Sequence, residues 1–398
     1  MVEQQRARWG VLAIYVVLLA VTQLLWLNFA PILTQIEARY DVDELTASLL
    51  VLVFPLLYVL LSLPAGRAID TRGYRKVIGA GAWLMTASSL LRIADDRFYM
   101  LLAGQIGIAI AQPLIVNGIS KFVVDWFDPE QGAIATGLCT MGMFIGMAAG
   151  LASTPPLVSS YELRGAMIVF AAITAASSAA FSIFVKQNPR ADAAGGDATA
   201  TGELMHIIRD RRLVVLFALS LLGLGEFNGL TTWLEEILKP QGFDSEQAGA
   251  VGGVLVLGGI VGAVVIPLLS DKLQRRKPFV IVCALGGLVS LYPMCTSTVG
   301  AVVFVAGAVH GFFLLPALAL LLDMSARIVG PARAGGATGM LMLVGNAGGV
   351  VVPLAMQAMR GNAPTFLPAV YLLLAVLAAL VLLALATTET AHAPPVTR

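Results

Sequence analysis

Charge is scarce in this sequence. Charged residues make up 12% of its 398 positions and hydrophobic ones 58%, against roughly 25% charged in an average soluble chain. So little polar surface cannot face water, which makes lipid the expected solvent. Basic and acidic residues number 25 and 24, a net charge of +1, so bulk attraction to nucleic acid has no basis and no nucleic-acid partner is expected. Cysteine is nearly absent. Cys139, Cys283 and Cys295 all sit in apolar runs, where they read as small hydrophobes and not as a disulfide framework or metal site. The three histidines, His206, His310 and His392, are scattered, so no metal set is expected. No glycine-rich run leads into Lys-Ser/Thr, which leaves no phosphate loop and no ATP coupling. Clustered catalytic carboxylates or a Ser/His pair are also missing, so neither an enzyme nor a resident cofactor is expected.

Long apolar runs are abundant. A spanning helix needs about 20 mostly apolar residues. Twelve stretches qualify: 9–30, 46–66, 76–93, 98–120, 132–153, 164–185, 212–233, 246–269, 278–296, 301–322, 335–358 and 364–387. The first is too long for the core of a signal peptide and reads as a retained helix. An even number of crossings puts both termini on one side. Of the basic residues, only Arg39, Arg92, Arg97, Arg164, Lys239 and Arg360 fall on the other side. The excess of Lys and Arg on the terminal side makes that side cytoplasmic, with a bacterial or archaeal inner membrane as the expected location. Arg92 and Arg164 lie at helix ends, where snorkelling toward the interface is expected.

The main polar interruption runs from Lys186 to Arg212 and holds Ala-, Gly- and Asp-rich sequence, as a flexible linker would. This predicts a six-helix bundle over 1–185, a linker over 186–211 and a second bundle over 212–398. Glu203 to Asp210 has the composition of a short surface helix. The expected fold class is therefore an all-α membrane protein of twelve helices in two related bundles around a polar chamber. A monomer in membrane lipid is the expected state.

Two charged loops occupy matching places, after the second helix of each half. The first reads Gly66-Arg67-Ala68-Ile69-Asp70-Thr71-Arg72-Gly73-Tyr74-Arg75-Lys76, and the second includes Ser270-Asp271-Lys272-Leu273-Gln274-Arg275-Arg276-Lys277. This pattern resembles the loop between helices 2 and 3 of the major facilitator superfamily of transporters. The resemblance implies a conformational latch formed by Gly66, Asp70, Arg72, Gly73, Arg75 and Lys76, with Asp271 as its echo. Asp70 is expected just past the end of helix 2, accepting from a neighbouring helix N-terminus. Gly66 is expected to allow close packing, and Gly73 a tight turn. Thr71 stands where a basic residue is usual.

Polar side chains inside spanning helices mark solute or proton paths by default. Helix 1 carries Gln23, Trp26 and Asn28, helix 4 Gln105, Gln112 and Asn117, and helix 7 Glu226 and Asn228. Helix 10 carries His310 and helix 11 Asn346. Glu226 lies deep in its helix with no Lys or Arg at its depth, so a cationic partner or a neutral carboxyl is expected. Glu226 and His310 are the candidates for proton coupling; a helix–helix hydrogen bond is the plainer alternative for each. Trp26 could hold a quaternary ammonium on its indole face or sit in an interfacial aromatic belt. Trp233 reads as belt. With no basic residue in the middle of these helices, a cationic, zwitterionic or apolar cargo is favoured over an anion. Glycine stripes, such as Gly142, Gly146 and Gly150, read as close helix packing.

Three stretches resemble the feline leukaemia virus subgroup C receptor-related family, described as carriers of haem and of choline or ethanolamine. They are Ala111–Phe127 continuing to Thr136, Pro155-Pro156-Leu157-Val158 closing helix 5, and Gly311-Phe312-Phe313 with Gly335–Asn346. The resemblance implies that Trp26 and Gln112 contact an ammonium cargo and that Asn346 stands for a helix-11 amide. The family's helix-7 tyrosine is Asn228 here, two residues after Glu226. The expected solute-binding set is Trp26, Gln112, Asn117, Glu226, Asn228 and Asn346. The expected function is a secondary active or facilitative transporter of a small organic solute, a cationic or zwitterionic amine by preference, working by alternating access with protons as candidate symported ion. Export of drugs, metabolites or haem, carriage of organic anions, and a receptor that binds without transport are the alternatives.

Overall fold

A computed structural model describes residues 2–185, 210–330, 334–361, 363 and 365–388. Residues 186–209 of the expected linker over 186–211, including all of the expected surface helix but Asp210, together with His206, Arg333, His392 and the last ten residues, lie outside the described residues. Every regular element described is helical. These are α1 (Val2–Leu27), α2 (Leu33–Tyr40), α3 (Glu44–Arg72), α4 (Tyr74–Leu91), α5 (Phe98–Val116), α6 (Gly118–Trp126) and α7 (Pro129–Phe184). After them come α8 (Arg211–Leu238), α9 (Ser245–Leu273), α10 (Lys277–Thr296), α11 (Gly300–Val329), α12 (Ala334–Arg360) and α13 (Leu367–Ala386).

Among the described residues, ten helices are long and apolar enough to cross a membrane. One of them spans Ile134–Phe184, 51 residues, or about 77 Å at 1.5 Å per residue, more than twice a hydrocarbon core of about 30 Å. It is interrupted at Glu162, whose φ of 58° and ψ of 173° are not helical, so it supplies two crossings. Counting α4, whose first turn is diluted by Arg75 and Lys76, the crossings reach twelve. The sequence suggested a loop over 154–163. Instead the helix runs on through Pro155 and Pro156 and yields at one residue with left-handed φ. The expected fourth helix likewise differs. It breaks at Asn117 into α5 and α6, four residues after Pro113, whose ring removes one backbone donor.

The chain forms two compact units. Unit 1 holds the described residues up to Val185 together with Thr231–Lys239 and Phe243–Gly253. Unit 2 holds residues 210–230, Pro240–Gly242 and the described chain from Val254 onward. In unit 1, α1 packs along α7, and α4 packs on both α5 and α7. Glycine makes the first contact possible. A Cβ at Gly146 would lie 1.9 Å from the Ala20 carbonyl oxygen, and one at Gly150 2.6 Å from that of Leu24. In unit 2 a Cβ at Gly348 on α12 would lie 1.9 Å from the Leu221 carbonyl of α8. The first and fifth crossings of each half thus meet through small residues, as helices without a hydrophobic driving force between them must.

The charged loops repeat as well. Gly73 and Gln274, at matching positions, both have positive φ, 81° and 55°. Arg75 Nε donates to the carbonyl of Val185 past the end of α7 at 2.7 Å, and Lys277 Nζ to that of Leu385 in the last turn of α13 at 2.7 Å. In each half, a cation at the start of the third crossing caps the C-terminal end of the sixth, where the helix dipole favours positive charge.

Candidate functional site

Glu226 on α8 and His310 on α11 are both fully buried, and Glu226 Oε1 lies 3.1 Å from His310 Nε2. The carboxylate therefore has a partner, although no Lys or Arg supplies it. His310 Nδ1 lies 3.2 Å from the Gly287 carbonyl oxygen and 3.2 Å from Ser290 Oγ on α10. A carbonyl only accepts, and Ser290 Oγ donates to the Gly286 carbonyl at 2.6 Å. Nδ1 must then carry a hydrogen. With that tautomer set, a neutral imidazole turns Nε2 toward Glu226 Oε1 as an acceptor and an imidazolium turns it there as a donor. Glu226 Oε2 is buried with no hydrogen-bond partner.

Asn228 and Asn346 each donate back to their own helices, to Leu224 at 2.7 Å and Met342 at 2.9 Å.

In unit 1, Trp26 is 8% exposed, stacks on Phe54 at 6.3 Å with 29° between the rings, and leaves its Nε1 without a partner. It is buried, not part of an exposed belt. Trp233 is fully buried too, against the belt expectation. Gln112 is buried and makes no hydrogen bond among the described residues. Asn117 is differently employed: it accepts from Tyr58 Oη at 2.8 Å and donates to the Ser62 carbonyl at 3.0 Å. Its amide pins the α5–α6 break to α3.

Three further expectations fail. Arg92 does not snorkel; it is entirely buried. Its Nη1 donates to Gln105 Oε1 at 2.8 Å and its guanidinium lies 5.6 Å from the Phe29 ring centre. Gln105 holds it there by donating to the Leu25 and Leu50 carbonyls. Gly104 leaves the room, since a Cβ there would sit 2.4 Å from Arg92 Cγ. Asp70 is not past its helix but inside the last turn of α3, exposed, with no hydrogen bond among the described residues. The helix continues because nothing stops it before Gly73. Gly66 has no described atom within 4 Å of where a Cβ would be, so close packing is not its role here.

Its counterpart in unit 2 is tied down. Arg276, between α9 and α10, donates to Asp271, to Ser270 Oγ at 2.6 Å and to Asp323 Oδ2 at 2.7 Å, and Arg327 joins the same Asp323 oxygen at 2.7 Å. Burial pulls the Arg276 pKa down, but the bonds to Asp271 and Asp323 outweigh it and raise the pKa above its ordinary value.

Sequence reasoning also passed over Glu235. It is 3% exposed and collects three donors within unit 1: Thr34 Oγ1 at 2.5 Å, Ser245 Oγ at 2.5 Å and the Thr34 backbone N–H at 3.1 Å. One carboxylate thereby joins α2, α8 and α9. Nearby, Gly249 lets α9 approach the Leu151 carbonyl of α7.

The sequence pattern of the Major Facilitator Superfamily matches residues 15–292 and 242–398. The chain belongs to that superfamily. It is therefore an integral membrane transporter of small solutes and not an enzyme. Among curated relatives, solute carrier family 49 member A3 of Xenopus tropicalis is 25% identical over 88% of this chain and 78% of its own length. The choline/ethanolamine transporter FLVCR1 of Felis catus is 26% identical over 87% of this chain and 67% of its own. The resemblance to the FLVCR family read from the sequence is thus supported. Among solved structures, the nucleoside transporter NupG superposes with a TM-score of 0.74 at 14% identity over 94% of this chain and 99% of its own, which supports the fold.

Proposed function

We propose that this protein carries a small organic cation bearing an amine, of the choline or ethanolamine kind, by alternating access and together with a proton. The observation that carries this reading is the Glu226–His310 contact: a fully buried acid–base pair 3.1 Å apart with one carboxylate oxygen left over. Such a pair changes charge by one when a proton arrives or leaves, which is what coupling requires. Trp26 and Gln112 are the groups proposed to contact the ammonium, by cation–π attraction and through the amide oxygen. The curated relatives named for choline and ethanolamine support the cargo class. The bias of Lys and Arg supports cytoplasmic termini.

Replacing Glu226 by Gln tests the reading in proteoliposomes. The variant keeps the shape but fixes the charge, so uphill uptake driven by a pH gradient should vanish while exchange of internal for external substrate persists. Full gradient-driven uptake by Glu226→Gln would remove Glu226 from the mechanism.

A further inference from the structure

Within unit 2, a groove of about 560 Å³ runs between α10 and α11 and has no part in the function argued so far. Small residues make its floor and branched ones its rims. The floor is Gly286 and Ser290 of α10 with Ala306 of α11, and both Ser290 and Ala306 are buried. Val289 stands on one rim, 73% exposed, and Val305 on the other, 63% exposed, flanked by Val302 and Val309. Positions 302, 305 and 309 share one helix face. A valine in a helix has one strongly preferred rotamer, so these rims do not swing in and the groove is preformed. Phe313 closes one end. Its ring lies across Gly286, where a Cβ would sit 2.3 Å from it.

None of the lining residues is charged. The hydroxyl of Ser290 donates to the Gly286 carbonyl at 2.6 Å and lies 3.2 Å from His310 Nδ1. It offers an occupant no hydrogen, and a polar solute placed here would lose its own hydrogen bonds to water. Plain hydrocarbon suits such a lining. The exposed rims are continuous with the surface that α10 and α11 turn to lipid, so acyl chains reach the groove directly. Its length fits one of them. From Ala301, near the start of α11, to Phe313 it runs about 18 Å at 1.5 Å per residue. One leaflet, half of a hydrocarbon core, is about 15 Å deep. The groove thus opens where α11 enters the membrane and closes near the midplane. We infer that it is a binding site for one acyl chain of a bilayer phospholipid, with the chain end against Phe313 and Ser290 between the chain and His310. A chain seated there touches two rims and a floor, whereas an ordinary boundary lipid touches one surface. In lipid, packing of this kind is what drives apolar association.

The test uses full-length protein in phosphatidylcholine vesicles doped with phosphatidylcholine that carries a diazirine near the end of one acyl chain. After irradiation, labelled peptides are mapped by mass spectrometry. At a trace of the probe, labelling over 286–290 and 305–313 should exceed that around Leu257 on α9 and Val351 on α12, both exposed near mid-helix, by about tenfold. As the probe fraction rises, groove labelling should saturate while the other two stretches respond linearly. In Ala306→Phe, which fills the floor, groove labelling should drop to the level at Val351. In Val351→Phe it should not change. Even labelling of all these stretches, or a linear response at the groove, overturns the site, and so does labelling that persists in folded Ala306→Phe. Should that variant not fold, the saturation series on wild-type protein decides alone. A diazirine-bearing sterol that labels the groove and displaces the phospholipid would overturn the acyl chain as its occupant.

Discussion

The three-donor clasp on Glu235 yields a sharp energetic prediction. Glu235→Ala removes the acceptor of two hydroxyls and one backbone N–H, each left with a desolvation penalty of about 1–3 kcal/mol if it finds no new partner. Thr34→Ala removes one of those hydroxyls and leaves the backbone bond. The double mutant should therefore cost less than the sum of the singles, by the worth of one hydrogen bond to a charged group, about 1.5–3 kcal/mol. In a unit of roughly 150–250 residues, a kcal/mol moves Tm by about 2–4 °C, so the four Tm values should depart from additivity by about 3–12 °C. Intrinsic fluorescence melts of the four purified proteins in one detergent give the comparison. Serine at 245 controls for site: Ser245→Ala should couple to Glu235→Ala similarly, while Thr71→Ala, an exposed hydroxyl bonded to its own helix, should not couple. Additivity within about 1 °C for both Thr34 and Ser245 would refute the clasp.

Other outcomes follow from the same geometry. Gly146→Ala drives a Cβ to 1.9 Å from the Ala20 carbonyl and should cost about 3 kcal/mol or more. By contrast, Gly137→Ala, with nothing within 4 Å, should be neutral or stabilising by up to about 1 kcal/mol; melting curves separate them. Arg276→Lys cannot hold Asp271, Ser270 and Asp323 at once. It should lower stability by about 1–3 kcal/mol, the partners' exposure discounting the pair, and Asp323→Asn should add little on top. Asp43 caps α3 by accepting from the Thr46 N–H at 2.7 Å, and its bonds to Thr46 hold its carboxyl below the ordinary value. A depressed carboxylate pKa means the cap is fully present above the unfolded value and is lost as pH falls through the folded one. The protection factor of the Thr46 amide should therefore fall below about pH 4, and in Asp43→Asn it should lose that pH dependence.

Much of the fold is legible in the sequence because lipid imposes length and apolarity on each crossing. The twelve runs, the repeated charged loops and the glycine stripe through Gly142, Gly146 and Gly150 all express such local constraints. What stayed hidden depends on partners far along the chain. Arg92 looked like a snorkelling end because Gln105, Phe29 and the space left by Gly104 cannot be placed beside it from sequence. Glu226 and His310 were each noticed, but no local signal pairs residues on α8 and α11 or reveals the Gly287 carbonyl that selects the tautomer. Glu235, beside Glu236 and Lys239 at a helix end, has the look of a solvated terminus; only its burial against Thr34 and Ser245 shows otherwise. The break at Asn117 was missed because proline, the usual marker, sits four residues upstream, whereas the break at Glu162 falls inside the expected gap over 154–163 and only its one-residue form was hidden.

The central claim is that a proton held between Glu226 and His310 drives movement of an amine cation. Wild-type protein in proteoliposomes, with labelled choline or ethanolamine outside and an inside-alkaline pH gradient, measures it most directly. The account predicts accumulation above the external concentration that collapses when a protonophore removes the gradient. Uptake that only equilibrates, at a rate and level indifferent to the gradient, would contradict it.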